Sequence, residues 1–96
     1  MRIVGGEFKG RKLFAPEGAA TRPTAERVRE AIFDILGPRV EGAAFADLYA
    51  GTGAVGIEAL SRGAASCVFV ESHPKALRCL QIKIFWESRT IILNNH

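Results

Sequence analysis

Residues 45–56 read F-A-D-L-Y-A-G-T-G-A-V-G. A short apolar run, interrupted by Asp47, leads into a turn through Gly51, Thr52 and Gly53, and a helix-like run opens at Ala54. Strand, glycine turn and helix start, in that order, make a site for a nucleotide-like ligand. Glycines let the backbone come close to the ligand, and the free N–H groups at the helix start attract negative charge. Gly51, Gly53 and Gly56 together form G-x-G-x-x-G, and Glu71 follows twenty positions after Gly51. An acid about 20 residues on, closing the next strand, can accept from both vicinal hydroxyls of a ribose. Glu71 also has a purely structural reading, as a surface acid capping the helix that follows it.

Outward from this stretch the chain alternates. The fingerprint predicts a strand over 45–49 and a helix from Ala54 to Arg62, stopped by Gly63. Ser66 to Val70 is a second strand, and its nearly continuous apolar run suits a strand covered on both faces. Pro74 fits the first turn of a helix reaching about residue 86, with Leu77, Leu80 and Ile84 on one face. Residues 90–93 are a third strand candidate. Upstream, Arg2-Ile3-Val4 and Lys12-Leu13-Phe14 read as the strands of a hairpin bent at Gly5-Gly6 and Lys9-Gly10. Thr24 caps a helix with a 3.6-residue stripe of Val28, Ala31, Ile32, Ile35 and Leu36, which Gly37-Pro38 ends. Arg27 and Arg29 fall off that stripe, facing solvent or ligand, or pairing with Glu26 and Glu30. The pattern is a β-α-β-α-β half of a doubly wound α/β sheet behind a basic hairpin-helix extension. We read residues 1–96 as one domain, the extension over 1–40 and the ligand-binding half over 41–96.

Composition narrows the function classes. An apolar fraction of 48% excludes a disordered chain. No apolar run approaches the ~20 residues of a membrane span, and the N-terminus has no signal-peptide pattern, so a cytoplasmic protein is expected. Cys67 and Cys79 fit no metal or redox spacing and read as buried thiols; with only His73 and His96 besides, no metal is expected. Residues 1–29 hold seven Lys/Arg against three acids, so the whole net charge of +3 originates there, as on a phosphate-binding surface or a solvated basic face.

The fingerprint alone fits either a nicotinamide dinucleotide or S-adenosylmethionine. Asp47 favours the second. A sulfonium and an amino-acid ammonium favour nearby carboxylates, whereas a pyrophosphate does not.

Residues 47–64, D-L-Y-A-G-T-G-A-V-G-I-E-A-L-S-R-G-A, closely resemble the S-adenosylmethionine loop of the bacterial 16S rRNA guanine-N2 methyltransferase family. So do the opening M-R-I-V-G-G-E-F-K-G-R-K-L, the stretch R-P-T-A-E-R-V-R-E-A-I-F-D-I-L over 22–36, and V-F-V-E over 68–71. The resemblance implies a Rossmann-like class I methyltransferase fold. It implies that Tyr49, Gly51, Thr52, Gly53 and Gly56 surround the methionine part of the cofactor, with Asp47 supporting the loop. Glu71 would hold the ribose, with Ser72 and His73 near the adenine. Arg22, Pro23, Thr24 and Arg27 match the motif that closes over the cofactor and borders the target base. Arg2, Lys9, Arg11 and Lys12 would grip rRNA phosphates, which makes 16S rRNA or the assembling small subunit the expected partner.

The resemblance also marks a departure. The family's Asn/Asp-Pro-Pro-aromatic motif, which holds the guanine amine and stacks the base, has no counterpart here, because Pro16, Pro23, Pro38 and Pro74 are never adjacent. Residues 81–96 depart from the family pattern. From these we expect a fold truncated to about its first half, no catalytic residue, negligible transfer by these residues alone, and self-association through the open edge of strand 45–49. A non-catalytic RNA- or cofactor-binding module remains the alternative, and a nicotinamide-dependent oxidoreductase fragment a weaker one.

Overall fold

The structure, a computed structural model, describes residues 2–12, 23–48, 50, 53–84 and 87–94. Helix α1 spans Pro23–Leu36 and passes through a short 3-10 turn, Gly37–Val40, into strand β1, Ala44–Asp47. Then follow α2 (Ala54–Ser61), β2 (Ser66–Val70), α3 (Pro74–Ile84) and β3 (Thr90–Leu93). The strands pair in parallel in the order β1-β2-β3, with Phe45 beside Cys67 and Val68 beside Ile91. Two successive parallel crossovers in one direction place α2 and α3 on the same face of the sheet.

That face is the core. Cys67 and Phe69 of β2 are fully buried, as are Ala59 of α2 and Leu80 of α3. Burying a side chain such as Phe69 stabilises the fold by about 1.5–3 kcal/mol. α1 joins the same layer: its Phe33 ring stacks on Phe45 of β1 with centroids 5.9 Å apart, and Phe45 shares the face of Cys67. The opposite face carries Ala46, Val68 and Ile91 in register, and Leu48, Ile91 and Leu93 there are 60%, 59% and 50% exposed. β2 is therefore covered on one face among the described residues, not two; the apolar run is the pattern of an interior strand, but only its odd-numbered positions, 67 and 69, are sealed.

Three other expectations change. Among the described residues, the hairpin shows a single antiparallel bridge between Arg2 and Lys12. Between them the chain folds into tight turns that bury Phe8, supported by Gly10 N–H to Ile3 carbonyl and Ile3 N–H to Arg11 carbonyl bonds. Leu13 and Phe14 lie outside the described residues. Thr24 is inside the helix rather than ahead of it, because α1 starts at Pro23. Finally, most of the aliphatic stripe of α1 does not face the core: Val28, Ile32 and Ile35 are 53%, 42% and 77% exposed, while Leu36 packs against it. The helix is rotated so that Arg29 and Phe33, 4% and 2% exposed, point inward. Phe33 has the larger apolar area to bury, and Arg29 has a buried partner, Glu58.

β3 forms at residues 90–93 as expected, and the turn before it is held by an ion pair. Arg89 donates to both oxygens of Glu87, at 2.7 Å each, and reaches the Ala64 carbonyl. This bidentate pair aligns Arg89, whose carbonyl accepts from Cys67 N–H at 2.8 Å. The pair holds Glu87 below its ordinary pKa.

Candidate functional site

The site lies where β1 and β2 end. Ala50 N–H donates to the Val70 carbonyl at 3.0 Å, so the chain entering the glycine turn sits beside the chain entering Glu71. This is the carboxyl edge of a parallel sheet, where α/β folds bind ligands.

Asp47 is at its centre. It is buried, and its Oδ2 accepts from the N–H of Gly56 at 3.1 Å. Gly56 is the third residue of α2, so Asp47 caps the helix from the end of the preceding strand, satisfying an orphan N–H and complementing the helix dipole. The capping residue by position, Gly53, has no side chain to do this and sits at φ +81. The carboxylate that was expected to support the glycine loop is thus placed to hold its helical end.

The glycines divide into two uses. A Cβ on Gly56 would stand 2.3 Å from the Phe69 ring and 2.8 Å from Cys67 Sγ, so Gly56 lets α2 press onto β2. A Cβ on Gly53 would stand 2.5 Å from Leu80 Cδ1, and the left-handed backbone there favours glycine independently. Both are required by packing beneath the turn. Tyr49, Gly51 and Thr52 lie outside the described residues, as does Arg22, and the side chain of Thr24 is not described.

Glu71 accepts through Oε2 from the N–H groups of Ser72, at 3.0 Å, and His73, at 2.8 Å. These contacts are those of an acid turned toward the start of α3, the structural alternative recognised in the sequence. A carboxylate offers about four lone-pair sites, so two bonds on one oxygen do not exhaust it, and the half-buried group stays at the edge of the site. Ser72 and His73 are exposed there. Cys67, below Gly56, is inert: burial first, and the charge of Asp47 second, push its thiol up to about 12.

The residue that sequence reasoning missed is Glu58. It is fully buried on α2 and accepts four hydrogen bonds, from Val4 N–H, Gly5 N–H, Arg29 Nε and Arg62 Nε, all at 2.9–3.0 Å. One turn on, Ser61 Oγ donates to the Gly5 carbonyl and accepts from Phe8 N–H, while its own carbonyl accepts from Glu7 N–H. A Cβ on Gly6 would be 2.0 Å from that carbonyl, so Gly5-Gly6 is a docking point rather than a simple bend. Arg29, expected to face solvent or ligand, is instead buried against Glu58 and also donates to the Arg2 carbonyl. The detectable signal was that Glu58 is the only charged residue in A-V-G-I-E-A-L-S, where a buried acid demands partners.

The four donors set the ionisation of Glu58. Burial alone would raise its pKa, but the bonds from Val4, Arg62, Gly5 and Arg29 outweigh burial and hold it below the ordinary 4.5. A depressed folded-state pKa contributes stability that is complete above the unfolded value and lost as pH falls through the folded one. Urea midpoints should therefore fall as the buffer is taken from pH 5 to pH 3. The fall should be steeper in the wild type than in an Arg29→Met/Glu58→Leu variant; equal slopes would remove Glu58 as the cause.

Contacts along α1 and α2 keep a constant offset. Arg29 meets Glu58, and Arg62 lies over the Phe33 ring at 5.2 Å and 4.0 Å from Asp34. The two helices therefore run parallel, which puts the start of α1 at the same end as the glycine turn. Of the basic residues expected to meet RNA, Arg2, Lys9 and Arg27 line one cleft of about 340 Å³ together with Glu26 and Glu30. Arg11 instead lies over the Phe8 ring, 4.9 Å from its centroid, and Lys12 is exposed opposite Arg2.

A parallel sheet with a carboxylate-capped glycine turn at its edge defines a Rossmann-like unit of the methyltransferase kind, and the comparisons agree. Residues 1–88 match the family described as conserved hypothetical protein 95, and the chain belongs to that family. It is 43% identical over 96 residues to the Bacillus subtilis protein named "Putative rRNA methyltransferase YlbH", covering 100% of this chain and 50% of that protein. Over 71 residues it is 48% identical to ribosomal RNA small subunit methyltransferase D of Escherichia coli, covering 74% of this chain and 36% of that one. The solved structure of Escherichia coli yhhF superposes on 100% of the chain with a TM-score of 0.88 at 35% identity, over 52% of its own length. A Thermus thermophilus protein gives 0.78 at 34%, covering 99% of this chain and 55% of that one. The chain thus spans about half the length of these relatives. The family model reaches residue 88, and the Bacillus alignment covers the whole chain.

Proposed function

We propose that this chain is the donor-binding and RNA-facing portion of an S-adenosylmethionine-dependent rRNA methyltransferase acting on guanine N2 of 16S rRNA. The observation that carries the reading is the Asp47 carboxylate bonded to Gly56 N–H beneath the glycine turn, at the strand ends where Glu71 also emerges. The residues fit such a group: two carboxylates border the site, one buried and one at its rim, which suits a cationic ligand with ribose hydroxyls. When bound, the cofactor supplies a methyl group on a sulfonium sulfur. Asp47 holds the α2 end of the cradle, Glu71 accepts from the ribose, and Ser72 and His73 border the adenine. Arg2, Lys9 and Arg27 attract the RNA backbone. The Pro-Pro-aromatic element that would align the guanine amine is not among these residues, so binding without turnover is the outcome expected of them in a transfer assay on 30S subunits.

Equilibrium dialysis with tritiated S-adenosylmethionine tests the donor. The wild type should bind it and ignore NADH. Asp47→Asn, which keeps an oxygen for the Gly56 N–H, should weaken binding roughly tenfold through the lost charge, as should Glu71→Gln. Binding of NADH in place of the methyl donor would reverse the assignment to a nicotinamide site.

A further inference from the structure

Among the described residues, the cleft between the N-terminal segment and α1 shares no lining residue with the glycine turn. Arg2 and Lys9 come from one wall, Glu26, Arg27 and Glu30 from the other, and the backbone of residues 3–4 lines it between them. Its volume of about 340 Å³ falls at the small end of ligand pockets, suited to one nucleotide unit. Both walls are fixed from behind. Arg29 bonds the Arg2 carbonyl and Glu58 together, Glu58 takes the N–H groups of Val4 and Gly5, and Arg2 N–H donates to Glu26 Oε1 at 3.0 Å. The site is preorganised, so little ordering is required when a ligand enters.

Its charge is mixed, and the mixture is informative. Three cations suit a phosphate. Two carboxylates in the same cleft repel a phosphate and suit a ligand that also carries hydrogen-bond donors. The donor attached to every nucleotide of RNA, and absent from DNA, is the ribose 2′-hydroxyl. Glu26 is already turned to the Arg2 amide through Oε1, and Glu30, exposed one turn on, is the acceptor assigned to it.

We propose that this cleft binds one ribonucleotide unit of a single-stranded RNA, with Arg2, Lys9 and Arg27 around its phosphate and Glu30 accepting from the 2′-hydroxyl. The chain then distinguishes RNA from DNA at this point without reading base sequence. The proposal rests on the RNA-facing reading above and adds a location and a selecting group to it.

The test is fluorescence anisotropy of the 96-residue chain with labelled octauridylate and its deoxy counterpart at low salt. The wild type should prefer the ribo-oligomer roughly tenfold, the range of one hydrogen bond to a charged acceptor. Arg27→Ala should weaken both oligomers alike and lower the salt slope by about one. Glu30→Gln should bring the ratio close to one, chiefly by improving DNA binding as the repulsion disappears. Both altered positions are on the surface, and far-ultraviolet circular dichroism of the same samples reports that the fold is intact. If the wild type prefers RNA but Glu30→Gln leaves the ratio unchanged, the cleft assignment is wrong while the RNA reading stands. If neither oligomer binds, the RNA reading fails and takes the cleft with it.

Discussion

Glu58→Ala is expected to leave the chain largely unfolded in buffer at 25 °C. The substitution strands Arg29, which is 4% exposed, and removes the acceptor for two backbone N–H groups. Breaking a buried ion pair by deleting one partner costs about 3–5 kcal/mol. A domain of this length sits near the low end of the usual 5–15 kcal/mol of stability, so that loss consumes most of it. Far-ultraviolet circular dichroism with urea titration reads the outcome. Replacing both charges, as Arg29→Met/Glu58→Leu, should recover more than half of the loss, because no lone buried charge remains. A Glu58→Ala chain within 1 kcal/mol of wild type would mean that the N-terminal segment docks by other contacts.

Gly56→Ala is expected to cost about 3 kcal/mol, the upper part of the range for overpacking. The new methyl would meet the Phe69 ring at 2.3 Å and Cys67 Sγ at 2.8 Å, and both side chains are fully buried, so neither can retreat. To relieve the clash α2 must lift from β2, which lengthens the Asp47–Gly56 bond and disturbs the cradle proposed for the donor. Donor affinity should therefore fall along with stability. Phe69→Leu trims the clashing ring edge, so the double variant should be more stable than the two single losses predict. Strict additivity would show that α2 does not rest on Phe69 as the geometry requires.

The elements were legible in the sequence where punctuation marks them. Gly63 ends α2, Pro74 opens α3, Gly37-Pro38 ends α1, and β2 and β3 occupy the residues read for them. The rotation of α1 was not legible. A periodic stripe identifies a face with many aliphatic residues, but not which face a particular neighbour accepts. Here the stacking of Phe33 on Phe45 and the pairing of Arg29 with Glu58 decide it. Asp47 could be picked out because an acid interrupts an apolar strand. Glu58 interrupts an apolar helix in the same way, but acids are ordinary on exposed helix faces, so the interruption does not stand out. Its burial depends on donors from residues 4, 5 and 29, far away in sequence, and no local pattern reports them.

The clasp on Glu58 and Ser61 joins residues separated by 53 to 56 positions. Chains emerge from the ribosome N-terminus first. The opening dozen residues are therefore made with nothing to fasten to, and they stay unfastened until α2 has followed them out of the exit tunnel. Residues 2–12 are thus secured only after α2 has been made, and their positive charges pass that interval undocked at the surface of an RNA machine.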